Sequence, residues 1–304
     1  MQQNNPDMLK NLIEAWRLPF VGASALPFIF GSVVNREKFN FPGFIFGLVA
    51  VIATHISANL INDYADSRSG ADWQDKNSYK FFGGSKLIQQ NIFSERFYLK
   101  SAVFFAVISA FSVLLLSLSL KSYFVVFAYC IVIVLSWFYS VSPIKLSYRR
   151  VGEAAIFLLF GPVLVMGGYF IQTRIFPDLK SFLLSIPFGF FTTAILFANE
   201  VPDFTEDHNV GKNNWVSLIG ADKSFLFYCL LVGLGFLAIL INVFAAFLSP
   251  WACLTLILII PACSAAKIIK NYYDSKFKLI QSSKLTISIQ TFVSICLIAV
   301  TLLG

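Results

Sequence analysis

Charged side chains are scarce in this sequence: they make up 13% of its 304 residues, against about 25% in a soluble globular domain. Histidine is rarer still, with only His55 and His208. The five cysteines, Cys130, Cys229, Cys253, Cys263 and Cys296, all fall inside apolar runs and have no metal-ligand spacing. They are read as small buried hydrophobes, which excludes a thiolate metal site or a disulfide framework. Long polar stretches are missing too. The longest, from 63 to about 98, is a loop of some 35 residues, too short for a soluble domain but long enough to be functional. Residues 1–15 are polar and lack the short apolar core and cleavage site of a signal peptide. Within them, 8–16 is amphipathic and is expected to lie on a membrane surface.

What abounds is apolar. Hydrophobic residues make up 57% of the chain and 34 of them are Phe, a composition suited to a lipid-facing surface. Apolar runs of the length needed to cross about 30 Å of hydrocarbon recur throughout. The net charge is +7, but the basic residues sit between apolar runs rather than on a folded soluble face, so the expected partners are anionic lipid and an anionic substrate, not nucleic acid. Nine spans are predicted, at 18–34, 42–62, 98–118, 122–139, 152–172, 182–199, 224–246, 250–267 and 285–303. With the N-terminus in the cytoplasm, this topology puts 18 Lys and Arg on the cytoplasmic side and 5 outside, as the positive-inside bias requires. The predicted fold is an all-α polytopic membrane protein, one domain over 1–304, with its helices around a central cavity.

Nine of the sixteen acidic residues fall in two cytoplasmic loops. Asp63, Asp66, Asp72 and Asp75 follow span two; Glu200, Asp203, Glu206, Asp207 and Asp222 follow span six. Asn59 precedes Asp63 by four residues, and Asn199 precedes Asp203 by four; Asp66 and Asp207 then extend the two series. Offsets of three, four, seven and eight lie on one helix face. Each motif therefore presents a stripe of oxygen ligands at a cytoplasmic helix end. The motifs are 140 residues and four spans apart, which suggests a pseudo-repeat of spans 1–4 and 5–8 plus a ninth helix. Facing carboxylate stripes need a cation between them, and oxygen ligands without His or Cys favour Mg²⁺ over Zn²⁺. Basic residues just beyond the stripes, Arg68, Lys76, Lys86, Lys145, Arg149 and Lys212, could take the remaining oxygens of a diphosphate.

Other residues leave two readings open. Gly83-Gly84-Ser85 is a turn or a phosphate cradle. His55, one turn before Asn59, is a partner of the motif or a satisfied intramembrane histidine. His208 is taken as a loop residue. Glu153 beside Arg150 is an interfacial ion pair or a base. Tyr139 offers a ring face to a cation or belongs to an interfacial aromatic belt.

The run Asn62-Asp63-Tyr-Ala-Asp66-Ser-Arg68-Ser-Gly70-Ala-Asp72 resembles the Asn-Asp-x-x-Asp signature of the UbiA superfamily of membrane prenyltransferases. Asn199-Glu200-Val-Pro202-Asp203, continuing to Asp207, Gly211 and Lys212, resembles that superfamily's second signature. The form with Gly70 and Asp72, the Gly83-Gly84-Ser85 segment, Tyr139 to Lys145, Gly152-Glu153 and Gly161-Pro162 are similar to the 1,4-dihydroxy-2-naphthoate polyprenyltransferases. Asn213-Asn214-Trp215, Leu218 and Gln290 depart from the common pattern.

The resemblance implies nine helices open laterally to lipid, with Asn59, Asp63, Asn199 and Asp203 as the main metal–diphosphate ligands and Asp66 and Asp207 alongside. Asn62, Arg68, Asp72, Lys86, Tyr139, Lys145, Arg149 and Lys212 then join Asn59 and Asn199 as substrate-binding residues. The implied reaction is Mg²⁺-dependent transfer from a prenyl diphosphate to an aromatic acceptor, in a bacterial or archaeal cell membrane. A CDP-alcohol phosphotransferase would need an Asp-Gly-x-x-Ala-Arg element, which does not occur. A cation transporter would place its acids near the bilayer midplane, not at helix ends.

The 18-to-5 split of Lys and Arg predicts that a cysteine introduced into 206–212 labels only from the cytoplasmic face. Labelling from outside alone would reverse the orientation.

Overall fold

The computed structural model describes residues 6–35, 39–75 and 77–303. Among them there is no strand, only an isolated bridge between Arg149 and Asn213. The helices in chain order are α1 (Pro6–Ala15), α2 (Gly22–Val33), α3 (Phe41–Ser69), α4 (Glu95–Leu120), α5 (Phe124–Phe138), α6 (Gly152–Leu158), α7 (Leu164–Thr173), α8 (Leu179–Glu200), α9 (Phe204–Asn209), α10 (Trp215–Ile219), α11 (Ser224–Phe244), α12 (Ile259–Tyr272) and α13 (Lys276–Leu303).

Seven helical stretches are long and apolar enough to cross a membrane: Phe41–Ser69, Glu95–Leu120, Gly152–Thr173, Leu179–Glu200, Ala221–Phe244, Pro250–Tyr272 and Lys276–Leu303. An eighth candidate is the pair Met8–Ala15 and Leu18–Val33, bent by 43°. The segment expected to span at 122–139 is α5, whose 15 residues fall short of the ~20 a single crossing needs. Outward-facing Phe104, Phe111, Leu118, Phe127, Trp251 and Ile260 are all at least 60% exposed, as a lipid-contacting surface would be. Cys130, Cys229 and Cys263 lie on this exposed surface, so the expectation of burial is corrected for these three. They serve as small apolar residues toward lipid.

The ends of α3 differ from the predicted span, for a local reason. Asn40 caps its start by accepting from the Gly43 amide at 3.0 Å. At the other end the helix runs on through Asp63 and Asp66 to Ser69 and stops at Gly70, whose φ is 89°, the left-handed conformation that ends helices. The loop that follows therefore covers 70–94, not 63–98. Likewise α13 begins at Lys276, nine residues before the predicted span.

Glycines bring helices close where the site requires it. A Cβ on Gly31 of α2 would stand 2.0 Å from the Val165 carbonyl oxygen, and one on Gly168 of α7 would stand 2.4 Å from the Phe28 carbonyl oxygen. Between α6 and α7 a wide, π-type turn at Leu159–Val163 carries Gly161-Pro162, and a Cβ on Gly161 would meet the Gly189 backbone of α8 at 2.8 Å. The main apolar core lies on the other side of α8, around Phe188, Phe191, Phe197, Tyr228, Ile239 and Ile289. A second cluster joins Ala15, Leu60, Leu87 and Tyr98 beside α3. The space between these two packed bodies is the cavity described below.

Gly31→Val is expected to destabilise the protein by at least ~1–3 kcal/mol, the usual cost of overpacking, read as a lower melting temperature in detergent. Gly233→Val, where an added Cβ meets nothing within 4 Å, is expected to leave it unchanged.

Candidate active site

A cavity of about 710 Å³ opens between α2, α3, α5, α6–α7 and α8. On α3 its wall is a stripe that includes Gly47, Ala50, Thr54, Ala58, Asn62 and Asp66. These are spaced by three or four residues, so they stand one above another on a single helix face. From Gly47 to Asp66 this face runs ~28 Å at 1.5 Å per residue. The far end is apolar, with Phe124 packed on Phe170 and Phe176 at ring separations of 5.1 and 4.8 Å. The near end gathers the acidic motifs.

The structure sorts the predicted site residues into two groups. Asn59, Asn62, Asp66, Asp72, Lys86, Tyr139, Asn199, Asp203, Asp207 and Lys212 all line the cavity. Asp63 is 2% exposed and sits behind the wall, paired with Arg17 and accepting from the Ser85 amide at 3.2 Å. Arg68 points away toward Glu95 at 3.8 Å, with its side chain 65% exposed. Lys145 stacks over the Tyr148 ring, and Arg149 donates to the Pro143 carbonyl oxygen at 3.0 Å; neither is among the lining residues. Lys76 lies outside the described residues.

The residues with two open readings are also placed. The Gly83 amide donates to Asp203 Oδ2 at 3.0 Å, so the 83–85 segment bridges the two motifs by its backbone. It can do so because Gly83 and Gly84 hold φ of 73° and 75°, and a Cβ on Gly84 would crowd Asp72 Oδ2 at 3.0 Å. His55 contacts Ser24 Oγ through Nδ1 at 2.8 Å and lies edge-on to Phe160. Glu153 is 1% exposed and accepts from the Trp215 amide. No ion pair joins it to Arg150 among the described residues, which corrects the interfacial reading. The departure at Asn214 has a use: its Nδ2 donates to Asp207 Oδ2 at 3.0 Å, while its Oδ1 caps α10 at the Ser217 amide.

Charge at the mouth is distributed unevenly. Arg17 pairs with Asp63, Lys86 with Asp72 at 2.7 Å, and Lys212 with Asp207 at 3.3 Å. Lys276 spans Asp75 at 2.9 Å and Glu206 at 2.7 Å. Asp66 and Asp203, one from each motif, have no basic partner within 4 Å among the described residues; Asp66 accepts from Asn62 Nδ2 and Asp203 from the Gly83 amide. Burial, and then the Asp207 carboxylate, push Asp203 up to about 7 against the pull of Lys212, Lys276 and Lys86. Burial and Asp66 push Asp72 up to about 7 even beside Lys86. Asp75 shows the contrast: burial raises it, but the Asn77 amide, Lys276 and Tyr79 more than compensate and bring it to about 2.

Sequence reasoning missed Arg17 and Lys276 as site residues. Arg17 is a lone charge just before the first apolar run, and that position is the signal that could have found it; in the structure it holds a left-handed φ of 49°. Lys276 is 201 residues from Asp75, and nothing local marks it.

The donor set suits a hard cation. Among the described residues no three His, Cys, Asp or Glu side chains form a ready-made metal cage. Mg²⁺ does not need one, since it binds through one or two carboxylates plus waters and substrate phosphates. Asn199 Oδ1, an oxygen, is buried without a hydrogen-bond partner, whereas the unpartnered atom of Asn59 is Nδ2, an N–H donor that suits a phosphate oxygen and not a cation.

Comparison with known proteins places this geometry. The model of the UbiA prenyltransferase family matches residues 24–285. A 1,4-dihydroxy-2-naphthoate octaprenyltransferase of Haemophilus influenzae is 26% identical over 216 residues, which is 69% of this chain and 68% of that protein. UbiA prenyltransferase domain-containing protein 1 of Dictyostelium discoideum is 26% identical over 234 residues, 75% of this chain and 70% of that protein. Among solved structures, a UbiA homolog from Aeropyrum pernix K1 aligns with a TM-score of 0.69 at 14% identity, covering 91% of this chain and 97% of that one. A UbiA homolog from Archaeoglobus fulgidus bound to GPP and Mg²⁺ aligns with a TM-score of 0.59 at 13% identity, covering 95% of this chain and 100% of that one.

The raised carboxyls set a pH dependence. Asp203 and Asp72 titrate near 7 when folded and have an ordinary value of 3.8, so between about 4 and 7 the folded protein binds more protons than the unfolded chain. Stability therefore falls as pH rises through that window. In EDTA, the melting temperature in detergent is expected to be higher at pH 5.5 than at pH 8, with a shallower slope in Asp203→Asn. An equal slope in wild type and variant would remove Asp203 as a cause.

Proposed function

This chain belongs to the UbiA prenyltransferase family, and we propose on that premise that it transfers a prenyl group from a prenyl diphosphate to 1,4-dihydroxy-2-naphthoate. It is a prenyltransferase embedded in a membrane; the acceptor, the metal and the residue roles are our reading. The observation that carries it is the pair Asp66 and Asp203, left without basic partners at the mouth of a cavity whose far end is apolar. Asn59, Asp66, Asn199 and Asp203 would hold Mg²⁺ together with the diphosphate, with Asp63 and Asp207 close behind. The bound cation would neutralise the departing diphosphate and favour cleavage of the allylic C–O bond.

The chain's own residues supply the rest. Lys86 and Lys212 face the cavity beside Asp72 and Asp207 and would take diphosphate oxygens. As the C–O bond breaks, its electron pair leaves on the diphosphate. The allylic cation is shielded from water by the apolar walls until an electron-rich ring carbon attacks it. The new C–C bond forms at the ring carbon that bears the carboxylate; the bond to the carboxylate then breaks, its electron pair restores the aromatic ring, and carbon dioxide departs. The aromatic body suits a Phe-lined wall, and the Haemophilus influenzae relative is named a 1,4-dihydroxy-2-naphthoate octaprenyltransferase. The same reading takes the bent first pair and the short α5 as spans, giving nine, with the N-terminus and both motifs in the cytoplasm.

Asp203→Asn and Asp66→Asn are each expected to lower turnover by about 10²–10³, the scale of one electrostatic group in an active site, while the folded protein persists in the membrane. EDTA is expected to abolish product. The assay is labelled prenyl diphosphate with hydroxynaphthoate, 4-hydroxybenzoate and homogentisate in competition. Preference for a monocyclic acceptor would refute the acceptor, and near-normal turnover of either variant would remove that residue from the site.

A further inference from the structure

Among the described residues, Lys276 is the one basic side chain at the mouth that pairs with carboxylates of two separate segments, Asp75 in the loop after α3 and Glu206 on α9. All three line the cavity. Their side chains are 23%, 17% and 20% exposed, so solvent screens them less than it screens a surface ion pair. Tyr79 adds to the junction, donating to Asp75 Oδ2 at 2.9 Å while its ring centre lies 5.7 Å from the ammonium. The strap has a firm base. Lys276 opens α13, which packs along α2, α8 and α12.

The two segments that it joins carry the acidic groups of the site. On one side Asp72 and Asp75 follow the end of α3 that bears Asp66. On the other, α9 has six residues and holds Asp203 at its N-cap, then Glu206 and Asp207 in its first turn. A helix that short has little stability of its own, so its place is set by what grips it. Glu206 is about one turn after Asp203 and adjoins Asp207, so a grip on Glu206 fixes both. Other bonds between the segments include those of the exposed Gln74, with Asn209 at 2.9 Å and the Glu206 carbonyl oxygen at 3.5 Å, and the Gly83 amide to Asp203 at 3.0 Å. Of these ties, Lys276 alone also reaches a long helix.

Counted as charges, Lys276, Asp75 and Glu206 sum to one negative charge, a field that repels an anionic donor. Lys276 thus differs from Lys86 and Lys212, which each pair with a single carboxylate. It has no charge left over to offer a phosphate. We propose that Lys276 is a positioning residue: by joining Asp75 to Glu206 it holds α9 against the loop after α3, at the separation at which Asp66 and Asp203 take up a Mg²⁺-bound diphosphate. This rests on the metal–diphosphate site read above and adds to it a residue from the last helix. Fixing the two segments in advance lowers the ordering cost of binding, and that gain outweighs the repulsion of the extra carboxylate.

The test uses the full chain in nanodiscs and reads two things. One is calorimetric binding of geranyl thiolodiphosphate, a donor analogue whose C–S bond resists cleavage, at fixed Mg²⁺. The other is hydrogen exchange of 70–94 and 204–209 without any ligand. Asp75→Asn and Glu206→Gln each take a negative charge away from an anionic ligand, so charge alone predicts tighter binding. The strap predicts the opposite sign: each is expected to weaken binding at least ~5-fold, the lower end of ordinary coupling between sites. Lys276→Ala is expected to do the same, and Lys276→Arg, which can still bridge two carboxylates, to retain most of the affinity. In turnover, the loss in Lys276→Ala is expected in donor KM more than in kcat. Without ligand, Lys276→Ala and Asp75→Asn are both expected to speed exchange in 204–209, the second although Asp75 lies in the other segment. Melting temperatures check that each variant is folded. Tighter or unchanged binding by Asp75→Asn and Glu206→Gln, or unchanged exchange of 204–209 in Lys276→Ala, would overturn the proposal. If wild type binds no analogue at any Mg²⁺ concentration while the exchange responses hold, the metal–diphosphate reading above is refuted and the tie between the segments stands.

Discussion

Mutual repulsion among carboxylates at the edge of an apolar interior is the constraint around which the mouth of the cavity is built. Two helix ends carry them, and a third source, the loop after α3, adds Asp72 and Asp75. Placing them together in a poorly solvated site is unfavourable unless each is compensated. The compensation comes from four separate parts of the chain: Arg17 before α2, Lys86 in the glycine loop, Lys212 beyond α9 and Lys276 at the start of α13. Backbone amides of Gly83 and Ser85 add to it. Asp66 and Asp203 remain outside these ion pairs, and it is on these two that the proposed cation would act.

The same network explains how loops without regular structure hold position. Lys276 joins Asp75 to Glu206, and Gln74 meets Asn209 at 2.9 Å. The loop after α3 and the segment around α9 are thereby tied to each other and to the last helix. Three elements far apart in sequence share one ammonium group. Tyr79 reinforces it through its hydroxyl bond to Asp75 at 2.9 Å. Such side chains, only partly exposed, interact more strongly than surface pairs because solvent screens them less.

What could be read from sequence depended on whether the cause was local. The Asn-x₃-Asp series at Asn59–Asp63 and Asn199–Asp203 was legible as a pair of motifs, but its geometry was not. Asp63 turns behind the wall while Asn62 and Asp66 face the cavity. On the other side α8 ends at Glu200, so Asp203 follows a turn instead of continuing a helical stripe. Helix ends were poorly legible. Hydropathy falls off near Asn62, whereas the helix runs on to Gly70, where the left-handed turn ends it. Partners across the molecule were not legible at all: Arg17 with Asp63 and Lys276 with Asp75 depend on how helices pack, and neither pair leaves a spacing to find. Arg68, Lys145 and Arg149 illustrate the converse. Each has the right charge in the right loop, yet the backbone turns their side chains to Glu95, Tyr148 and Pro143 instead of the cavity.

Along α5 the cavity wall and the lipid-facing surface are made of the same residues: Phe127 and Ile131 line the cavity while remaining 65% and 46% exposed. A hydrocarbon tail seated there is therefore continuous with the surrounding bilayer rather than sealed from it. For such a catalyst, concentration is a two-dimensional quantity. The rate follows the mole fraction of tailed substrate per unit area of membrane, and diluting the bilayer with inert lipid slows turnover even when the amount of substrate per litre is held constant.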